Sequence, residues 1–269
     1  WGSSCSAGVG CWATVEGWAP CGLWQAARKN AASAAAKQGT AVWRALGAML
    51  QCAGCYPCRP AMRTSVTWVN DYLDRPATAE EQATLLTAAG LNFDGRDTAD
   101  NGEVWQEIET TSNRGDCLCH LGMAREICAL SGRTLKAPAA AQHARGPAAS
   151  TLIQVQNHDH SACPRYTARI IRGVKVGPSP AWLQQRLRAI GQIPRNNLVD
   201  CTNFVLFELG QPTHVFDLDT LKGGLIQVRA AKAGEKFLPI GEGAAEVTLR
   251  AGDLVIADAE RPVAVAGVK

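Results

Sequence analysis

The chain has 269 residues, 46% hydrophobic and 19% charged, with a net charge of +3. That apolar fraction supports packed cores and excludes wholesale disorder, and so small a net charge does not make nucleic-acid or membrane binding the default. No apolar run approaches the roughly 18 residues of a membrane span, no secretory signal is recognisable at the start, and the length predicts about two domains of roughly 150 residues.

Composition changes abruptly along the chain. Residues 1–61 hold six of the eleven cysteines and five of the eight tryptophans, with five basic residues against one acidic, Glu16. The rest carries 22 basic and 23 acidic residues, and Met62 sits on the seam. Within the first block, helices are predicted around 24–37 and 41–51. Cys52, Cys55 and Cys58 follow a C-x2-C-x2-C spacing. Thiolates at such spacing converge on iron–sulfur clusters or zinc, but a complete site needs about four ligands and no fourth cysteine comes after them at the expected spacing. An Ala-rich, acid-poor stretch at 25–50 loosely fits an organelle transit peptide, though arginine is sparse. The plainest reading is upstream DNA translated ahead of a natural start at Met62. On that reading 1–61 makes few contacts with residues 62–269.

From Met62 the pattern becomes orderly. Trp68, Val69, Tyr72 and Leu73 have helix spacing. Thr78-Ala79-Glu80-Glu81 is a capping box opening a helix to about Ala89, with Gly90 as its stop. Residues 103–110 read as a strand. Asp116 is expected to cap a helix running to about Leu130, ended by Gly132. Cys117 and Cys119 would then point about 200° apart on that helix, which suits packing rather than a shared metal. Residues 137–150 have no period and read as a linker between a domain at 62–136 and another at 151–269.

In the second block, 151–156 and 167–173 are predicted strands. Ser179-Pro180 opens a helix whose inward residues would be Trp182, Leu183, Leu187 and Ile190. Another helix covers about 197–209 and ends at Gly210. Further strands are predicted at about 224–229, 246–249, 254–257 and 262–266. Helices and strands mix without a regular βαβ alternation, so the fold class is α+β.

Phosphate-binding glycine loops and the G-x-S-x-G nucleophile elbow are both missing from the sequence. His158-Asp159-His160 with Cys163 resembles metal ligands on paper, but reads better as a polar loop between two strands. No metal is expected. The richest stretch is 196–217, where Asp200, Thr202 and Asn203 interrupt an apolar helix and a Gly210-Gln211-Pro212 turn leads to His214. Buried polar groups of this kind either brace a fold or line a pocket, and the residues alone leave both open.

That stretch, Asn196 to Asp219, resembles the β subunit of bacterial phenylalanyl-tRNA synthetase. The segments around it agree in order: Met62–Trp68, Thr110–Glu126, Cys163–Arg169, Gly177–Leu183, Val228–Glu235 and Asp253–Asp258. The resemblance spans 62–269 almost continuously, and 1–61 has no counterpart in it. Only about a dozen residues separate Gly90 from the strand at 103, too few for the tRNA-binding OB-fold domain that many members insert there. The family also continues beyond the position of Lys269, so the chain resembles an N-terminal portion of such a subunit.

The resemblance implies a small N-terminal α/β domain followed by a truncated mixed α+β editing domain of the B3/B4 type. It implies an α2β2 enzyme in which the α subunit carries the chemistry with ATP and Mg2+, no cofactor being bound by this chain. It further implies tRNA(Phe) as partner, no membrane or DNA partner, and a cytoplasmic location. The family's editing domain hydrolyses tyrosyl-tRNA(Phe), because an apolar pocket rejects an added hydroxyl only weakly. Matched by motif position, His214 and Asn203 would be its catalytic residues, with Thr202, Pro212 and Gly267 binding substrate.

Overall fold

The computed structural model describes residues 61–139, 146–240 and 244–266, together with the backbone of 10–17. In chain order these form β1 (Gly10–Gly17), β2 (Ala61–Ser65), α1 (Val66–Asn70), α2 (Ala79–Ala88), β3 (Asn92–Thr98), β4 (Val104–Glu109), α3 (His120–Ser131), β5 (Gln154–Asn157), β6 (Tyr166–Val174), α4 (Ala181–Ala189), α5 (Asn197–Leu209), β7 (Thr213–Asp217), β8 (Leu225–Ala230), β9 (Lys236–Phe237), β10 (Val247–Thr248), β11 (Leu254–Ala257) and β12 (Pro262–Val265). The architecture is α+β, in two compact units: 61–138 with 188–192, and 10–17, 139–187 and 193–266. Among the described residues no helix is long and apolar enough to cross a membrane. The predicted helices at 24–37 and 41–51, and Cys52, Cys55 and Cys58, lie outside the described residues.

In the first unit an antiparallel sheet of order β2-β4-β3 is combined with α1, α2 and α3. Trp68, Val69, Leu73, Leu86, Leu91, Ile108, Met123 and Ile127 are buried. The capping box acts as its sequence says: the Glu81 N–H donates to Thr78 Oγ1 at 3.1 Å. Ser65 caps α1 in the same way through the Trp68 N–H. Trp68 stacks on the buried His120 ring at 3.9 Å. The Ser65 N–H donates to His120 Nε2, so that nitrogen carries no proton.

One expectation changes here. The helix predicted from Asp116 begins only at His120, with Cys119 as its N-cap, and Gly115–Cys117 is a separate 3-10 turn. The Asp116 carboxylate is directed to Arg114, which donates to both its oxygens at 3.0 Å, and not to the start of the helix. Cys119 Sγ accepts the Gly122 N–H instead. Cys117 and Cys119 therefore share no helix face, although both are buried. Between Gly90 and β4, Asn92–Thr98 forms the edge strand β3, paired to β4 with an irregularity between Phe93 and Gly95.

The second unit stacks two larger sheets, and β9 and β10 form a separate two-stranded one. Of the larger two, one has the order β6-β1-β7, the other β12-β11-β8-β5. Ile153, Leu221, Ile226, Ile256 and Ala264 form the core, and Tyr166, Ala168 and Ile170 of β6 and Phe216 of β7 pack against it. β5 runs parallel to β8, while the other ladders are antiparallel. Predicted strands shift modestly: 151–156 becomes a 3-10 turn and then β5, and 246–249 contracts to β10. β7 has no counterpart among the predicted strands.

The expectation that 1–61 makes few contacts fails for Gly10–Gly17. This segment runs antiparallel to both β6 and β7, with Val15 opposite Ala168 on one side and His214 on the other. β6 and β7 share no ladder directly, so a strand between them satisfies the facing backbone groups of both.

Leu183 and Leu187 on α4 and Ile190 just past its end are buried as predicted, but Trp182 is 53% exposed. Positions 183, 187 and 190 keep the helical period and define the inner stripe, and Trp182 stands about 100° away from it. α5 is capped by Asn196, whose side chain accepts the Leu198 and Val199 N–H groups, and closed by Gly210 in the left-handed region at φ 74°.

Candidate functional site

Four of the five predicted site residues lie on α5, β7 or the turn between them. α5 and β7 are neighbours in the second unit. Gly210 ends α5, Gln211 and the exposed Pro212 turn the chain, and β7 carries His214 back. Thr202 and Asn203 lie on α5 and are half-buried, as is His214. The Thr202 hydroxyl donates to the Val199 carbonyl at 2.7 Å, so its proton is committed within the helix. Gly267 lies outside the described residues.

Strand alternation fixes which way His214 points. His214 and Phe216 are two apart on β7 and share a face, with ring centroids 6.0 Å apart. Phe216 packs into the core between the sheets, so His214 stands on the inward face. The ladder agrees: the rung through Val15 joins His214 to the inward-packed Ala168. Asn203 lies on α5, which neighbours β7, and no α5 side chain is part of that inter-sheet core. The structure thus places Asn203 and His214 on adjoining elements, His214 being the residue directed between the sheets.

A residue that sequence reasoning missed joins this face. Tyr166, at the start of β6, is on the same side as Ala168 and Ile170, and its hydroxyl is buried without a hydrogen-bond partner among the described residues. Burial holds its pKa well above the ordinary phenol value. The available signal was period two: in Tyr166-Thr167-Ala168-Arg169-Ile170 the tyrosine falls in step with the inward residues.

Deeper bracing surrounds α5. Asp200 is fully buried and accepts hydrogen bonds from the Ser179 hydroxyl and the Arg195 N–H. Of the two readings open for the polar residues of this helix, bracing is the one Asp200 fulfils. The 158–163 segment is the predicted polar loop, in which Asn157 Nδ2 donates to the Cys163 carbonyl and Asp159 accepts the Ala162 N–H.

In the first unit Asp116, Cys117 and Glu126 converge within 4.8 Å. Arg114 occupies their centre, donating to Asp116, to Cys117 Sγ at 3.0 Å and pairing with Glu126 at 2.7 Å. The Arg114 hydrogen bond holds Asp116 below the usual carboxylate range. Burial, reinforced by the Asp116 charge, pushes the Cys117 thiol up to about 12. A guanidinium-centred clamp with a protonated thiol is a structural joint.

Residues 162–269, most of which lie in the second unit, match the B3/4 domain family. The resemblance to the β subunit of phenylalanyl-tRNA synthetase holds beyond that domain. The phenylalanine–tRNA ligase β subunit of Rhodopirellula baltica is 45% identical over 207 residues, covering 77% of this chain and 30% of that protein. The corresponding subunit of Moorella thermoacetica is 45% identical over 193 residues, covering 72% and 24%. This chain therefore spans less than a third of the length of these relatives. A solved N-terminal fragment of the phenylalanyl-tRNA synthetase β subunit from Pyrococcus horikoshii is 17% identical, covers 78% of this chain and 62% of that one, and has a TM-score of 0.40.

Proposed function

We propose that this chain works as part of the β subunit of a phenylalanine–tRNA ligase and contributes to hydrolysis of misacylated tyrosyl-tRNA(Phe). The similarity to named β subunits over 207 residues carries this reading. In the complete enzyme an α subunit, in an α2β2 assembly, supplies phenylalanine activation with ATP and Mg2+. No step of that activation falls to the candidate site residues of this chain.

The editing role rests on the B3/4 domain and on the inward histidine. His214 would orient the ester or a water, Asn203 would fix the substrate, and Thr202, Pro212 and Gly267 would line the approach. Tyr166 adds a buried phenolic hydroxyl on the same face as His214. Such a group can exchange hydrogen bonds with a polar substrate where apolar walls cannot discriminate. The second reading is a non-catalytic module that supports assembly with the α subunit and tRNA, favoured by the structural engagement of Asp200.

The test is an α2β2 enzyme whose β subunit carries these residues, assayed for tyrosyl-tRNA(Phe) hydrolysis and for phenylalanine activation. His214→Ala is expected to slow hydrolysis by about 10²-fold or more, in the range for a positioned acid–base or orienting group, and to leave activation intact. Equal losses in both assays would identify a structural histidine and favour the assembly module.

A further inference from the structure

Between Asp159 and Asp200 the chain carries no acidic residue, but it carries seven basic ones: Arg165, Arg169, Arg172, Lys175, Arg186, Arg188 and Arg195. Six of these are exposed: Arg188, which belongs to the first unit, and Arg165, Arg169, Arg172, Lys175 and Arg195, which belong to the second. Four arginines elsewhere are matched to carboxylates, Arg96 with Glu80, Arg114 with Glu126, Arg133 with Glu81 and Arg229 with Glu235, all within 2.8 Å. Among the described residues the five exposed cations of the second unit's run have no such match. Asp200, the acid that closes the run, is buried and engaged by Ser179 and the Arg195 backbone. Among the described residues it forms no ion pair with any of the five.

The backbone holds this charge in place. β6 delivers Arg172 and then Lys175 into the segment before α4. That segment is tied to the first turn of α5: Asn197 Nδ2 donates to the Lys175 carbonyl at 2.9 Å, the Gly177 N–H donates to Asn197 Oδ1, and the Asn197 N–H donates to the Gly177 carbonyl. Arg195 is anchored at the same turn through Asp200. The positive end of the α5 dipole adds to the field there. Beside it, Trp182 is 53% exposed and meets Phe204 edge-on at 5.5 Å, which ties α4 to α5. An anchored cluster of unmatched cations next to an exposed indole suits a polyanion that also carries planar bases.

We infer that the end of β6, residues 175–180 and the first turn of α5 form an RNA-docking surface, in which Arg172, Lys175 and Arg195 meet phosphates and Trp182 stacks an unpaired base. The inference rests on the tRNA-hydrolysis reading and deepens it by naming where the polynucleotide lies.

The test measures binding of the full 269-residue chain to a fluorescein-labelled tRNA(Phe) transcript by anisotropy across a potassium chloride series. Vesicles rich in phosphatidylserine serve as the competing polyanion. The triple variant Arg172→Glu, Lys175→Glu, Arg195→Glu is expected to bind at least tenfold more weakly. Its salt dependence should be shallower by about 2, since each phosphate contact on a single strand contributes roughly 0.7 to the slope. Trp182→Ala should lose about fivefold or more with the slope unchanged, as stacking predicts. Lys232→Glu with Arg250→Glu reverses two exposed cations of the same unit away from this surface, and should change little. Circular dichroism melts check that all variants fold. Equal losses in the triple and the control, no RNA binding by the unaltered chain, or vesicle binding in its place would each overturn the inference. RNA binding that depends on these residues, in an enzyme that fails to hydrolyse tyrosyl-tRNA, would leave this surface standing and remove only the editing role.

Discussion

Glu235 shows how environment sets the worth of a single carboxylate. Arg229 donates to both its oxygens, at 2.9 and 2.6 Å, and the Lys232 N–H donates a third bond. Both side chains are largely buried, at 16% and 13% exposure. The Arg229 hydrogen bonds outweigh burial and hold the Glu235 pKa at about 2, below its ordinary 4.5. A folded pKa below the unfolded one means the stabilisation is fully present above about 4.5 and is lost as pH falls from there towards about 2. Glu235→Gln is therefore expected to cost on the order of 2 kcal/mol near neutral pH, as for charge-assisted hydrogen bonds. The difference from the unaltered chain should vanish in acid. Glu80, matched to Arg96 but 80% exposed, should lose less than about 0.5 kcal/mol on the same change. Denaturation curves at neutral and acidic pH check both; a Glu235→Gln deficit that persists undiminished in acid would rule out the charge as its source.

At the scale of elements, the start of α3 is the most constrained joint. A Cβ added to Gly122 would overlap the Asp116 carbonyl oxygen and lie 2.9 Å from its carbon. Those are backbone atoms in a turn that Arg114 already fixes, so no side chain can swing aside. Gly122→Ala should destabilise the first unit by about 2–3 kcal/mol, the range for overpacking. Gly115→Ala, with open space around it, should cost well under half of that. Urea denaturation of the two variants decides; similar midpoints would mean the joint yields. The same joint shows what the sequence could and could not reveal. Thr78, Gly132 and Gly210 were legible because each acts on backbone groups within a few residues. Asp116 was misread because its carboxylate is directed to Arg114, two residues away, and not to the start of the helix. β3 escaped notice because Asp94, Gly95 and Asp97 are poor strand formers on an edge. β7 was overshadowed by the turn before it, and Trp182 was given to the core because its apolarity outweighed its place on the helix. At the site, the nearness of α5 and β7 was implicit in the tight Gly210–Pro212 turn. The inward Tyr166 hydroxyl and the inward face of His214 emerge only once the strands are laid in register.

Across the whole molecule, composition and fold divide the chain differently. The compositional seam lies at Met62, yet the sheet of the second unit includes Gly10–Gly17 as its central strand. Thr14 stands opposite Arg169 of β6 and Val215 of β7. A central strand tolerates proline poorly, because the ring removes a ladder donor and restricts the backbone. In the full chain, Thr14→Pro should loosen both neighbours together, since β6 and β7 share no ladder that could hold them in its place. Hydrogen exchange read out by mass spectrometry should show amides of 166–174 and 213–217 exchanging at least roughly tenfold faster, as expected when a cooperative unit loses stability. Amides of α3 belong to the other unit and should keep their protection. The faster exchange should extend to His214, because its inward orientation depends on β7 staying in register with β1. Unchanged protection in both β6 and β7 would mean that the second unit stands without the segment before Met62, and the seam in composition would then be the boundary of the fold as well.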